Sequence, residues 1–175
     1  MSKERIGLCF GCFIPLHKGH LSMIERAKNE NDRIVIGVCG YDSDRGQEYL
    51  PFEGRWKLML RRYHDDKNVF ITIVDDHEIG LTGTFSVDAW SIWGKEFFRN
   101  AWLDPNDESK EYTWYTGEAS YIEKLQQVYP NHNFVLLDRS KIQVSGTMIR
   151  ENTDQYRDMI APDFLEAHEN WRRRK

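Results

Sequence analysis

The chain has 175 residues, 40% hydrophobic and 13% aromatic, which is enough to bury the core of one domain and too short for two of ordinary size. Its 24 Lys and Arg against 28 Asp and Glu leave a net charge of −4, which argues against general binding to nucleic acid or to anionic membranes. No apolar run approaches the roughly 20 residues of a membrane span, and no signal-peptide core follows the first residues. We therefore expect a cytoplasmic, single domain over residues 1–175, with its core over about 5–150 and C-terminal helices over about 151–170.

Apolar runs alternate along the chain with segments of helical periodicity. The runs predict strands at 6–10, 33–39, 69–74, 112–116 and 133–137. Helices are predicted at 20–29, from 52, around 90–98, at 119–128, and as short pieces at 146–151 and 155–168. The arginine-rich tail, 171–175, is expected to be frayed. This alternation predicts an α/β fold with a doubly wound, five-stranded parallel sheet.

The most informative segment joins the first strand to the first helix: Gly11-Cys12-Phe13-Ile14-Pro15-Leu16-His17-Lys18-Gly19-His20. Such a turn aims backbone N–H groups at an anion, and the helix dipole helps to hold it. His17 and His20 can meet the same anion, and the glycine between them permits a close approach. The segment indicates a site that binds a polyphosphate and neutralises charge developing during phosphoryl or nucleotidyl transfer.

Four further segments are expected at the same edge of the sheet, because each follows a predicted strand. They are 40–50, 75–86, Gly117-Glu118 and the residues after Leu137. Ligands of doubly wound sheets bind outside the carboxyl ends of the strands. Five separate pieces of sequence therefore point to one crevice.

Three cysteines, Cys9, Cys12 and Cys39, lie in or beside apolar strands, and their odd number suggests reduced thiols. Cys9 and Cys12 with His17 and His20 supply four conceivable zinc ligands. Cys9 lies within a strand, however, and the spacing from cysteine to histidine is far shorter than in a zinc finger. We expect no metal ion bound by protein ligands.

The strand-to-helix turn resembles the G-x-F-x-P-x-H-x-G-H signature of the HxGH nucleotidyltransferase superfamily. Late in the chain, Val144-Ser145-Gly146-Thr147-Met148-Ile149-Arg150 resembles the second signature, I-S-[GAT]-T-x-[IV]-R. Further segments resemble the NadR-type nicotinamide-nucleotide adenylyltransferases: 40–46, 115–118, 138–140 and Glu151-Asn152. The resemblance covers residues 5 to about 168 and implies the Rossmann-like fold of that superfamily. Because the chain has no G-x-x-x-x-G-K-[ST] loop, it resembles the adenylyltransferase domain alone.

The resemblance implies adenylyl transfer from ATP to nicotinamide mononucleotide, giving NAD and pyrophosphate, with Mg²⁺ carried on the ATP. The 5′-phosphate of the acceptor already carries a nucleophilic oxygen, so no general base is needed. The catalytic residues implied are His17 and His20, on the ATP phosphates, and Arg150 as a fixed cation.

The resemblance also implies two sets of binding residues. Those expected to bind ATP are Gly11, Cys12, Phe13, Gly19, Gly117, Glu118, Asp138, Arg139, Ser145 and Thr147. Those expected to bind the acceptor are Phe13, Asp42, Arg45 and Trp90, with Trp90 stacking on the nicotinamide ring and Trp93 as the alternative. Cys12 stands where many relatives carry a lysine or arginine, and Asp138 and Arg139 could equally form an ordinary ion pair.

Two alternatives remain open at this point. One is adenylyl or cytidylyl transfer to another phosphorylated acceptor, such as phosphopantetheine; the other is a nucleotide-binding sensor without catalysis. The loop at 40–46 and the tryptophan favour the nicotinamide acceptor, while the intact His17, His20, Thr147 and Arg150 argue against lost catalysis. No nucleic acid or membrane is expected as a partner, and a homo-oligomer stays open because relatives often form one.

Overall fold

The computed structural model describes residues 2–40, 46–75 and 86–175. Within those ranges one parallel sheet runs in the order β3-β2-β1-β4-β5. Its strands are β1 (Glu4–Gly11), β2 (Arg33–Cys39), β3 (Val69–Val74), β4 (Lys110–Thr116) and β5 (Asn133–Leu136). The doubly wound, five-stranded parallel sheet expected from the sequence is confirmed.

Helices follow the strands as expected in most places. They are α1 (Lys18–Glu30), α2 (Phe52–Arg62), α3 (Val87–Asn100), α4 (Ala119–Val128), α5 (Gly146–Glu151) and α6 (Pro162–Arg173). The helical structure predicted over 155–168 is divided in two, because a 3₁₀ turn at Arg157–Met159 is separated from α6, which extends to Arg173. Pro162 starts α6, since its ring fits the first helical position and keeps the preceding residue out of the helix.

The predicted fraying of the tail is also wrong for the residues up to Arg173, which belong to α6. The indole N–H of Trp171 donates to the backbone carbonyl of Glu48 at 3.2 Å. His168 of the same helix stacks on Tyr49, with ring centroids 3.6 Å apart. These contacts hold the C-terminal helix against the segment that leads into α2.

The sheet separates two apolar cores because successive strand side chains point to opposite faces. On β1, Cys9 packs in the core under α1, α2 and α6, whereas Ile6 and Leu8 pack in the core under α3 and α4. The second core is aromatic, with Trp90, Trp93, Phe97, Phe98, Tyr112 and Trp114 buried together. Burial of each large ring contributes about 1.5–3 kcal/mol, so this cluster anchors α3 firmly.

The strand order reverses between β1 and β4, and this places a crevice at their carboxyl ends. The chain passes from β1 into α1 on one face and from β4 into α4 on the other. The loops after Gly11 and Thr116 therefore diverge and leave room between them. No helix in the described ranges is long and apolar enough to cross a membrane.

Candidate active site

Two histidines cap the start of α1 in a reciprocal arrangement. His17 is the N-cap, and its Nδ1 accepts the backbone N–H of Gly19 at 3.1 Å. His20 makes the reciprocal hydrogen bond, in which its Nδ1 accepts the backbone N–H of His17 at 3.3 Å. This is a capping box in which imidazoles replace the usual Ser or Thr and Glu or Gln. Both rings are thereby oriented by the backbone.

These bonds decide which nitrogen of each imidazole carries the proton. A ring nitrogen that accepts a hydrogen bond is unprotonated, so in the neutral ring the hydrogen sits on Nε2. Burial, with a smaller contribution from the charge of Arg139, lowers the pKa of His17 to about 4. Burial first, then the charges of His17 and Arg139, hold the pKa of His20 well below its ordinary value. Both residues are neutral Nε2–H donors at pH 7.

The packing around the two rings is close. Their centroids lie 3.7 Å apart in a stack, and the buried Phe13 meets His20 edge-on at 4.9 Å. A Cβ on Gly19 would lie 2.8 Å from Cε1 of His17, so only glycine fits there. The Phe13 ring is enclosed, so the predicted contact with ATP is left to its backbone. That backbone has a positive φ of 55°.

A cavity of about 300 Å³ opens beside the two imidazoles. The predicted site residues that line it are His17, Gly19, His20, Gly117, Asp138, Arg139 and Ser145. Other predicted residues do not line it, namely Gly11, Cys12, Phe13, Glu118, Thr147 and Arg150. The structure thus brings the first motif, the start of the second motif and the loops after β4 and β5 to one cavity.

Positive charge predominates in this cavity. Its lining includes Arg26, Arg139 and Lys141 against one carboxylate, Asp138. Asp138 accepts the N–H and the hydroxyl of Ser140, and these bonds lower the pKa of its carboxyl group. Sequence reasoning missed Arg26 and Lys141. The signal for Arg26 was available, because it continues the helical spacing of the cavity-facing Gly19 and Ser22 along α1.

The loops after β4 and β5 are joined by an ion pair. Arg139 Nη1 lies 2.7 Å from Glu118 Oε1, so the ion-pair partner of Arg139 found here is Glu118 rather than Asp138. The position of Gly117 allows this approach, because a Cβ there would lie 2.5 Å from Arg139 Nε. The Arg139 side chain is 62% exposed and that of Glu118 is 42% exposed, so the pair contributes little to stability and a ligand can displace it.

The second motif forms α5 and reaches back to the first. Ser145 is the N-cap, and its hydroxyl accepts the backbone N–H of Met148 at 3.2 Å. Arg150 Nη1 donates to the carbonyl of Ile14 at 2.8 Å, and its Nη2 donates to the Thr147 hydroxyl at 3.2 Å. The guanidinium of the second motif is therefore tied to the loop of the first. Arg150 lines a neighbouring open cavity of about 620 Å³.

The residues predicted to bind the acceptor are only partly described. Asp42 and Arg45 lie outside the described residues. Trp90 is 3% exposed, and its ring lies 5.0 Å from Trp93 and 5.1 Å from Tyr121 between centroids. Stacking of Trp90 on a nicotinamide ring stays a prediction, and it requires the buried indole to become accessible.

A buried arginine that sequence reasoning missed supports the site from behind. Arg55 on α2 is fully buried, and its guanidinium donates to the carbonyls of Leu50, Cys12 and Cys39. It thereby ties together the ends of β1 and β2 beneath the crevice. The sequence could have indicated the burial of Arg55, since this residue shares the helical face of the apolar Phe52 and Met59.

The zinc interpretation weighed above finds no support in the cysteines. Cys9 is fully buried within β1, and this burial raises the pKa of its thiol to about 12. Across residues 2–40, 46–75 and 86–175, no group of three or more His, Cys, Asp and Glu is arranged to hold a metal ion.

Comparison with known proteins places these motifs in a recognised family. A family model described as cytidylyltransferase-like matches residues 8–152. The trifunctional NAD biosynthesis/regulator protein NadR of Escherichia coli (strain K12) is 30% identical over 90% of this chain. The chain spans 39% of that relative's length.

Two further proteins are similar to this chain. A crystal structure of NadR protein in complex with NAD and AMP-PNP has a TM-score of 0.72 and 29% identity, covering 94% of this chain and 46% of that one. A phosphopantetheine adenylyltransferase of Streptococcus pneumoniae (strain ATCC 700669) is 40% identical over 75 residues, which are 43% of this chain and 44% of that protein.

Proposed function

The chain belongs to the cytidylyltransferase-like family, and we propose that it transfers the adenylyl group of ATP to nicotinamide mononucleotide, releasing NAD and pyrophosphate. The observation that carries the proposal is the pair of neutral imidazoles beside a cation-lined cavity. The similar NadR structure was solved with NAD and AMP-PNP, an ATP analogue, and this supports both the nucleotide donor and the dinucleotide product.

In the proposed reaction, a phosphate oxygen of the acceptor attacks the α-phosphorus of ATP in line with the departing β-phosphate. The new P–O bond forms the dinucleotide, and the broken bond leaves its electrons on pyrophosphate. The protein supplies no base, because the attacking phosphate is already anionic. Its task is to align the reactants and to stabilise charge on the phosphates.

His17 and His20 suit this task as neutral donors. Their Nε2–H groups would donate to the α-phosphate as its negative charge grows, with His20 the nearer, and no proton needs to move. Neutral donors whose orientation is set by backbone bonds require little reorganisation at the moment of reaction. Arg26, Arg139 and Lys141 would balance the triphosphate, and Ser145 would donate its hydroxyl to the β- and γ-phosphates.

Arg150 would act on the phosphates as a fixed cation together with Thr147. Its present bonds to Ile14 and Thr147 leave the guanidinium near the start of α5, where a Cβ on Gly146 would lie 2.9 Å from Nη1. Mg²⁺ would enter as part of the MgATP substrate. The described cavity supports that view, because its single carboxylate, Asp138, is already engaged by Ser140.

A second candidate acceptor is phosphopantetheine. It is favoured by the 40% identity to a phosphopantetheine adenylyltransferase, which falls over 43% of this chain. The chemistry at the α-phosphorus would be the same, and the acceptor would differ. The similarity to NadR extends over 90% of the chain, and for this reason we favour the nicotinamide nucleotide.

The test is product formation from ATP with a panel of acceptors: nicotinamide mononucleotide, nicotinic acid mononucleotide, phosphopantetheine and none. We expect NAD and pyrophosphate in equal amounts from the first acceptor, with kcat/KM highest for it. A preference for phosphopantetheine would replace the proposal by the second candidate. ATP binding without a product from any acceptor would instead show a nucleotide sensor.

A further inference from the structure

Two arginines from distant elements hold the loop that carries Phe13. Arg55 on α2 donates to the carbonyl of Cys12. Arg150 on α5 donates to the carbonyl of Ile14 at 2.8 Å. Phe13 lies between these two carbonyls with a φ of 55°, a left-handed conformation that is unfavourable for residues other than glycine. Such a conformation persists only where the surroundings impose it, and the two guanidinium groups do so from either side.

The position of Arg55 sets the direction of the Cys12 carbonyl. Its Nη1 atom donates to this carbonyl and also, at 3.2 Å, to the carbonyl of Cys39, the last residue of β2. Its Nε atom donates at 3.0 Å to the carbonyl of Leu50, ahead of α2. The Cys12 carbonyl therefore points toward the end of β2.

The N–H of the next residue points the opposite way. The peptide bond between Cys12 and Phe13 is trans, and in a planar trans peptide the C=O and N–H groups point in opposite directions. In the sheet β1 lies between β2 and β4, so a group directed away from β2 is directed toward β4. The N–H of Phe13 is thus turned to the side of the crevice between β1 and β4.

This N–H is buried without an acceptor. Phe13 is 1% exposed, and among the described residues no group accepts its backbone N–H. Buried N–H groups without a partner are rare, because each has lost its hydrogen bonds to water and gained none in return. Phe13 also packs edge-on against His20, which lines the cavity. A fixed donor in that position is suited to an anionic oxygen.

Arg55 can hold the loop without contacting a substrate. A guanidinium group is always charged and donates in a rigid planar fork, so one side chain can bind several carbonyls at once. Arg55 is fully buried and makes three hydrogen bonds to main-chain carbonyls. Any effect of this residue on the reaction therefore passes through the loop.

We propose that Arg55 is a positioning residue, which fixes the Cys12 carbonyl and thereby aims the Phe13 N–H at a phosphate oxygen of bound ATP. The kinetic consequence rests on the proposed adenylyl transfer, whereas the aim of the N–H is measurable with ATP alone. Without the guanidinium, the peptide between residues 12 and 13 is free to rotate out of the left-handed conformation. Its N–H then no longer points to the crevice.

The first test uses the two Cys–Phe peptide bonds of the chain, Cys9-Phe10 and Cys12-Phe13. The full chain, labelled with ¹³C at the Cys carbonyls and ¹⁵N on Phe, gives one amide NMR signal from each pair. At saturating MgATP we expect the Phe13 signal to shift in the wild type and to stay in place in Arg55→Met. The Phe10 signal is the internal control, because this residue belongs to β1. A Phe13 signal that ignores bound ATP in the wild type, or shifts equally in both proteins, overturns the proposal.

The second test separates positioning from a loss of stability. Arg55→Met, assayed where it is folded, should lower kcat about 10²-fold, because a small misplacement of a reacting group has an effect of that size. Arg55→Lys keeps the charge without the planar fork and should lose less. Ile6→Ala is the matched control, because Ile6 is fully buried toward the other end of β1 and its truncation also destabilises the core.

We expect Ile6→Ala to keep the wild-type kcat. A wild-type kcat in folded Arg55→Met overturns the proposal, and so does an equal loss in Ile6→Ala. If no acceptor yields a product, the proposed adenylyl transfer fails, while the shift of the Phe13 amide signal still decides the role of Arg55.

Discussion

Asparagine and glutamine at position 20 separate the two tasks assigned to the His20 ring. Nδ1 of His20 accepts the backbone N–H of His17, while Nε2–H is the proposed donor to the α-phosphate. His20→Asn places an amide oxygen near the position of Nδ1 and removes the donor. His20→Gln keeps the cap, because glutamine is a usual residue at this position of a capping box, and its amide N–H can replace the Nε2–H donor.

The two variants should therefore differ in rate and not in stability. Loss of one donor to a developing oxyanion costs about 10²–10³-fold in kcat, which is about 2.7–4 kcal/mol. Loss of one side-chain cap costs about 1 kcal/mol of stability. We expect His20→Asn to unfold with the wild-type free energy and to react about 10²–10³-fold more slowly. His20→Gln should unfold with about the wild-type free energy and react faster than His20→Asn.

The assay is initial-rate NAD formation at saturating ATP and nicotinamide mononucleotide, beside urea unfolding of each variant. His64, which no described contact ties to the cavity, provides the control substitution His64→Asn. A wild-type kcat in His20→Asn would refute the role of Nε2–H. A slower reaction in His20→Gln than in His20→Asn would contradict that role equally.

Three other predictions concern stability and binding. Burial lowers the pKa of His17 to about 4, so between pH 6.5 and 4 the unfolded chain binds more protons and stability falls as the pH falls. In urea unfolding, the loss of stability from pH 7 to pH 5 should be about 2 kcal/mol smaller in His17→Asn than in the wild type, whose His20 also contributes to the loss. Arg55→Met removes three hydrogen bonds to carbonyls at the ends of β1, β2 and the segment before α2, and it should cost about 2–4 kcal/mol in urea unfolding. Lys57→Met on the exposed side of α2 should cost less than about 0.5 kcal/mol, and equal costs would contradict the role given to Arg55. Ser145→Ala should cost about 1 kcal/mol through the lost N-cap and, if the hydroxyl also binds phosphate, raise the Kd for ATP measured by calorimetry; an unchanged Kd would restrict Ser145 to capping.

Much of the fold followed from local patterns in the sequence. The bounds of β2 and β3 agree with prediction because each is an unbroken run of β-branched and apolar residues closed by polar ones. The structure of the C-terminal region was harder to predict from the sequence. The tail looks solvated by composition, whereas tertiary contacts such as those of His168 and Trp171 with residues 48 and 49 support its helix.

The candidate site was predictable where a motif places residues at fixed spacing and less so where the fold brings distant residues together. His17 and His20 are three residues apart, so a helix start must place them together. Lys141 enters the cavity from a loop that no periodicity describes. The burial of Trp90 depends on rings of β1 and α4 that are remote in sequence, so its environment could not be read from α3 alone.

Imidazole ¹⁵N NMR of the selectively labelled chain, with and without MgATP, tests the central claim most directly. The two histidines that are proposed to act as neutral donors should show Nε2–H tautomers at pH 7, with Nδ1 unprotonated, and their Nε2 signals should shift when ATP binds. Imidazolium signals at pH 7, or Nε2 resonances that ignore ATP while it binds, would contradict the account.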